Sequence, residues 1–266
     1  TVHDKDNQQF KIGDGVTVLR AKHVTPGLID AYGMGGLSGA YNVAADQDQD
    51  ETSDPNQADL RALDGFHPAE PLLAVMAANG VTAVHSCPGR QPVLAGTSGV
   101  FRTHGTTVDQ AALAKTFAVV VNLGEAPKGA FGGRGAGTRM GVAAVVRKAF
   151  AEAQAYQKKT QSPGTAVPGL SPKLEALLPA LEGKAPVVFS AHRADDIRTA
   201  LRIADEFQLK PVIALGTEAY LLADELASRK VPVIVHPTMQ RAGGSMETAN
   251  TLLATAAYLK QKGVPV

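Results

Sequence analysis

Short apolar runs alternate along this chain with longer amphipathic stretches. The runs fall at residues 24–30, 81–85, 117–121, 186–189, 212–215 and 231–235. A glycine-broken extended stretch covers 92–101, and 264–266 opens an eighth run. Continuous apolar runs of this length predict parallel strands covered on both faces. Between them, residues 72–79 precede the second strand as a helix. Val142, Val145, Val146, Phe150 and Ala153 recur on one helical stripe. So do Ile197, Leu201 and Ala204, then Ala219, Leu222, Ala223 and Leu226, then Leu252, Leu253, Ala256 and Leu259. The late strands are each separated by one helix, which is a βα repeat. Eight strand candidates in this rhythm predict an α/β fold, a (β/α)8 TIM-type barrel rather than an open sheet. Residues 1–23 break the rhythm: polar and apolar positions alternate over 10–19, as in a small β-layer. The expected division is therefore a β-domain remnant over 1–23 and a barrel over 24–266. Two stretches, 45–59 (acidic) and 162–172 (Ser, Pro and Gly), are expected as exposed loops.

Charge narrows the function classes. Lys plus Arg is 26 and Asp plus Glu is 25, for a net charge of +1. Without a basic tract there is no electrostatic footprint for nucleic acid or an anionic membrane. No apolar run approaches the ~20 residues needed to span a bilayer, so no membrane insertion is expected. A single cysteine, Cys87, forbids an internal disulfide and a multi-cysteine zinc site.

Several residues carry candidate chemistry. His85 and Cys87 lie two apart on an extended run and share a face, as a thiol nucleophile and its base would; a small buried cysteine is the plainer expectation. The glycine-rich 132–138 precedes a helix, where backbone N–H groups can bind an anion. It lacks the lysine of a phosphate-binding loop and reads as a turn. Asp46, Asp48 and Asp50 have calcium-loop spacing, but the sixth and twelfth positions are Glu51 and Gln57, so a solvated acidic loop is expected. Glu125, His192 and His236 each follow an apolar strand and converge on one barrel mouth if the barrel forms. Such a set can hold iron or zinc.

Residues 24–31, VTPGLIDA, resemble the first barrel strand of the amidohydrolase superfamily. Residues 79–84 (NGVTAV) resemble its second strand. Residues 137–141 (GTRMG), 191–197 (AHRADDI) and 215–220 (LGTEAY) are similar to a bacterial imidazolonepropionase-like branch, so the resemblance covers nearly the whole chain. It implies one or two divalent metals at the C-terminal mouth of the barrel. The implied ligands are a His-x-His pair after strand one, an acidic or carboxylated-lysine ligand in the middle, single histidines after strands five and six, and an aspartate after strand eight. The metal would lower the pKa of a bound water and the aspartate would move its proton.

The chain departs from that pattern. The His-x-His positions fall on Tyr32 and Met34, the strand-five position on Ser190 and the strand-six position on Leu215. Val266 precedes any strand-eight aspartate. Glu125 is the family-like ligand that remains, and strand alternation is expected to turn His192 away from the ligand position. Phenol, thioether, hydroxyl and isobutyl groups do not replace four imidazoles. The expected function is a catalytically degenerate amidohydrolase-like protein, without metal or other cofactor, acting as a structural or assembly subunit. The alternative is an active metal-dependent hydrolase of C–N bonds in a cyclic amide, imide or peptide-like substrate. It would use zinc or another divalent metal on Glu125, His192 and His236, or ligands from a partner chain. A third reading keeps the mouth as a small-molecule pocket without chemistry. Because the closing strand and helix are missing from this stretch, either a second chain or further copies cover the open edge, or the stretch belongs to a longer protein.

Overall fold

The computed structural model describes residues 14–17, 19, 21–161, 169–239 and 245–266. Nine strands lie among them: β1 Leu28–Gly33, β2 Val81–Ser86, β3 Leu94–Thr97, β4 Gly99–Arg102, β5 Ala112–Ala114, β6 Val119–Asn122, β7 Val187–Ala191, β8 Pro211–Leu215 and β9 Val233–Val235. They form two sheets, ordered β1-β2-β4-β5 and β3-β6-β7-β8-β9. Ser98, alone between β3 and β4, joins the sheets. Its amide donates to Ala118 O at 2.9 Å and its carbonyl accepts from Phe117 N at 2.8 Å. The β1–β2 pair and the β6–β9 run are parallel. Asn122 pairs with Ser190, Ala191 with Leu215 and Leu215 with Val235, so these strands end level with one another.

The expected parallel strand over 92–101 is corrected. It runs antiparallel to its neighbours on both sides, as β3 against β6 and β4 against β2. After β2 the chain turns back through residues 87–93 into β3, and passes through Ser98 into β4, which returns beside β2. The short β5 continues this meander. The first strand is also corrected. It starts at Leu28, and its flank is open: Leu28 is 62% and Ile29 67% exposed. No strand among the described residues pairs with its other edge. Pro26 offers no N–H, and Gly27 lies so close to β2 that a Cβ there would sit 2.2 Å from Thr82 Oγ1. At the opposite end of the arc, Val233 N donates to Pro265 O at 2.9 Å. Residues 264–266 thus begin a rung beyond β9 without forming a strand, and the arc is not closed into a barrel among the described residues.

The helices cover the outer face of the β6–β9 sheet. Outward-facing Val119, Val121, Val187, Phe189, Ala191, Ile213 and Val233 make one core with helix Arg139–Gln161 and helix Ala194–Phe207. Val142, Val146, Ala149, Phe150 and Ala153 are the buried stripe of the first. Ile197, Ala200, Leu201 and Ala204 are that of the second. Each large apolar side chain buried here contributes roughly 1.5–3 kcal/mol. The second helix stops at Gln208, which takes the left-handed conformation at φ 55°. The expected helix over 219–226 is split into a 3-10 turn, Ala219–Leu222, and helix Ala223–Ser228. On the first sheet, helix Pro71–Ala78 starts with proline in its first turn and Glu70 accepting from Leu72 N at 2.8 Å. Beneath it Phe66 stacks on Phe101, ring centroids 3.9 Å apart.

The 45–59 stretch is a loop as expected, although Gln57 and Ala58 within it are buried. Of the β-layer expected over 10–19, residues 14–17 and 19 are described and contain no strand; the rest lies outside the described residues. Residues 162–168 of the other expected loop lie outside them as well. No helix among the described residues is long and apolar enough to cross a membrane.

Candidate functional site at the strand ends

Strand alternation decides what reaches the inner face. On β7, Val187, Phe189 and Ala191 face the helices, leaving Val188, Ser190 and His192 inward. His192 therefore shares a face with Ser190, which corrects the expectation that it turns away: residues two apart point the same way. Tyr32, from the end of β1, fills the space between the inner faces. It packs on Cys87, Ala95 and Val120 on one side and on Ala118, Val188 and Ala214 on the other. Burial pushes its phenol well above the ordinary tyrosine range, with Cys87 adding to the rise. Its Oη is buried without a hydrogen-bond partner; Ser190 lies near enough to favour ionisation slightly but not in bonding geometry.

Ser190 Oγ instead donates to Asn122 Oδ1 at 2.6 Å. Asn122 Nδ2 donates to Gly89 O at 2.9 Å and to Pro92 O at 2.8 Å. Gly89 N donates to Gln49 O at 2.6 Å, and Gln91 N donates to Asp50 Oδ1 at 2.8 Å. The segment that carries Arg90 is thus fixed on both sides of that residue.

Arg90 Nη1 donates to His192 Nε2 at 3.2 Å. A guanidinium has no acceptor, so Nε2 must be the bare nitrogen and Nδ1 must carry the proton. Nδ1 accordingly donates to Thr217 Oγ1 at 2.7 Å. Burial, then His236, then Arg90 push the His192 pKa down to about 4. His236 meets His192 edge-on, centroids 5.0 Å apart. Its backbone N–H donates to Leu215 O at 2.5 Å, while Nδ1 is buried without a partner. Burial and Arg90 lower its pKa too.

This donor set does not fit a divalent ion. The Nε2 lone pair of His192 is taken by a cation, and a second cation would be repelled from it. Tyr32 is held as a neutral phenol, and Ser190 is spent on Asn122. Met34 is partly exposed, and its carbonyl accepts from Leu37 N and Ser38 N, both at 2.9 Å. Leu215 holds φ at 73°, an uncommon conformation for a side chain branched at Cγ. Among the described residues, no group of three His, Cys, Asp or Glu is placed to hold a metal.

Glu125 belongs to a different cluster. It begins helix Glu125–Ala130 after Gly124, which has φ 90°. Ser245 Oγ donates to Glu125 Oε2 at 2.9 Å, and Glu125 N donates to Glu247 Oε1 at 2.8 Å. Arg139 stands between three carboxylates: Asp196 at 3.0 Å, Glu247 at 3.4 Å and Glu125 at 3.8 Å. Asp196 and Glu247 are buried, and burial pushes both carboxyls above the ordinary range against the pull of Arg139. The structure therefore joins His192 to His236 and gives Glu125 other partners.

The remaining candidates have structural partners. His85 Nδ1 lies 2.8 Å from Ala31 O and Nε2 2.7 Å from Ser98 Oγ, so both nitrogens are engaged. Cys87 Sγ is 3.5 Å from Nε2, and burial pushes its thiol up, away from thiolate. In the glycine-rich turn, Thr138 Oγ1 accepts from Gly141 N at 3.0 Å in the first turn of the long helix. Asp46 accepts from Tyr41 N and Val43 N, both within its own loop. Arg90, Asn122, Thr217, Arg139 and Glu247 carry these networks without having stood out in the sequence. Arg90 follows a Pro-Gly pair after a strand, a signal for a loop and not for a partner 102 residues away.

No protein-family model and no curated protein sequence matches the chain. Among solved structures it is similar to an amidohydrolase from Thermotoga maritima MSB8, at 33% identity and a TM-score of 0.86. The likeness covers 96% of this chain and 69% of that one. An arc of parallel strands with its polar side chains gathered at the C-terminal ends, and a likeness of this extent, place the chain in the amidohydrolase family.

Proposed function

We propose that this protein is a metal-independent, catalytically degenerate amidohydrolase that serves as a structural or assembly subunit. One observation carries the reading: Arg90 holds the His192 lone pair that a metal would need. Tyr32, Met34, Ser190 and Leu215 stand where the family resemblance puts histidines, and none of them supplies a nitrogen donor. The assembly role is supported by β1, where Leu28 and Ile29 are exposed on an edge that pairs with no strand among the described residues. An unpaired edge of this kind is a template on which another chain can pair.

The competing reading is a hydrolase of C–N bonds using Glu125, His192 and His236. The proximity of the two imidazoles favours it; the Ser245 and Arg139 partners of Glu125 do not. Turnover of hydantoin and of dipeptides, with zinc added, separates the two. We expect no turnover above the buffer rate. Turnover that disappears in His236→Ala would establish the hydrolase. Light scattering tests the assembly role, with self-association or a co-purifying chain expected and a strict monomer contradicting it.

A further inference from the structure

We infer that the N-terminal rim of the β6–β9 sheet is a docking surface for the acidic 46–54 loop of a second copy of this chain. The inference rests on the assembly reading above and names the contact. It starts from one local structure made four times. The helices Leu178–Leu181, Ala194–Phe207, Ala223–Ser228 and Thr255–Gln261 are each followed by a left-handed residue: Gly183, Gln208, Lys230 and Gly263, at φ 66°, 55°, 52° and 83°. A lysine stands at or within two residues of each one: Lys184, Lys210, Lys230 and Lys262. A cation there suits the negative end of the helix dipole. The sheet then sets the four turns side by side. Val187 N donates to Lys210 O, Ile213 N to Pro232 O and Val233 N to Pro265 O, each at 2.9 Å. All four lysines are exposed, so a row of positive charge runs along the start of the sheet.

The carboxylates of the rim leave that row positive. Glu182 takes Lys184 at 2.7 Å, and Asp224 takes Lys262 at 2.9 Å. Asp205 is paired with Arg229, and Glu225 is shared by Arg229 at 3.9 Å and Arg198 at 3.4 Å. Glu206 is held by Arg147 at 2.6 Å. Lys210 and Lys230 have no carboxylate partner among the described residues. The opposite pole of the same molecule identifies the occupant. Residues 46–54 carry Asp46, Asp48, Asp50, Glu51 and Asp54 and no cation. Lys173 meets Asp54 at 3.8 Å, and Asp50 accepts from Gln91 N. Arg134 reaches this loop at a carbonyl, Thr52 O. Asp46, Asp48 and Glu51 have no cation partner among the described residues. The loop lies at the far end of the arc from the lysines: Gly89 N donates to Gln49 O, and Asn122, the last residue of β6, donates to Gly89 O. A chain of net charge +1 thus carries an excess of each sign at opposite ends. Like ends repel and unlike ends attract, so two copies meet head to tail. Such a contact leaves one rim and one loop free for the next copy.

The test is sedimentation velocity of the full chain at about 0.02 M and about 0.5 M sodium chloride, where charges are screened beyond roughly 20 Å and roughly 4 Å. At low salt the parent is expected to associate, with a mass that grows with protein concentration. At high salt its dissociation constant is expected to rise about tenfold or more. Lys210→Gln with Lys230→Gln removes charge from the rim, and Asp48→Asn with Glu51→Gln removes it from the loop. All four side chains are exposed, so both variants should fold. Each variant alone is expected to associate about tenfold more weakly than the parent. Mixed in equal amounts, the two are expected to form a one-to-one pair and nothing larger, since one keeps the loop and the other keeps the rim. A mixture that does not pair would overturn the inference. Association that persists at high salt and in both variants would overturn it and leave the assembly reading in place. A parent monomeric at both salts would remove the inference and self-assembly together, so the two failures are separately visible.

Discussion

His192 is buried beside His236 and Arg90, and that ties its protonation to folding. Its pKa stands at about 4 in the folded chain against an ordinary 6.5. Between those values the unfolded chain binds the extra proton, so stability falls as pH is lowered from 6.5 towards 4 and is complete above 6.5. A shift of this size is worth roughly 3 kcal/mol. Asp196 and Glu247 act with the opposite sign. Their raised carboxyls contribute stability at low pH that is lost as pH rises through their folded values. The His192 contribution is therefore read as a difference. In urea unfolding at several pH values, His192→Gln is expected to lose stability less steeply than the parent between pH 6.5 and 4. Parallel profiles would contradict the burial of a neutral His192. Arg139→Met leaves Glu125, Asp196 and Glu247 facing one another without a cation. At neutral pH it is expected to cost about 3 kcal/mol. The cost should shrink in acid, as the two raised carboxyls take up protons, and a pH-independent cost would contradict the cluster.

Among the elements, legibility followed covering. The runs that became β7, β8 and β9 are apolar because a helix layer covers their outer face, and their limits fall within two residues of the expected ones. The stretch over 92–101 was legible as extended but not in direction. Direction depends on the length of the connection before it, and the 87–93 segment turns the chain straight back. β1 was legible as a strand but not as an edge, since exposure depends on what lies beside it. The Phe66–Phe101 stack was not legible at all: the two rings lie on different elements and meet only after the sheet and helix Pro71–Ala78 have packed. Phe101 is fully buried, so Phe101→Ala is expected to cost about 3–5 kcal/mol in thermal or urea unfolding. A cost below about 1 kcal/mol would show that the first sheet does not pack as described.

At the scale of the whole molecule, family membership was more legible than the site. The strand motifs were sufficient to identify the family because they encode covering and turns. They do not encode which residues meet at the strand ends. Tyr32, Ser190 and Leu215 stood out in the sequence only against the family resemblance. The Arg90 guanidinium that meets His192 sits in a loop whose position is set by Asn122, Gln49 and Asp50, each far away in the chain. Among the described residues, the same arc that brings these residues together leaves one edge of β1 without a partner strand and sets residues 264–266 beside β9. Metal content tests this account most directly. Protein incubated with zinc, manganese or iron and then dialysed is expected to retain far less than one equivalent of any of them, with no change on His192→Ala. One equivalent retained by the parent protein and lost in that variant would contradict it.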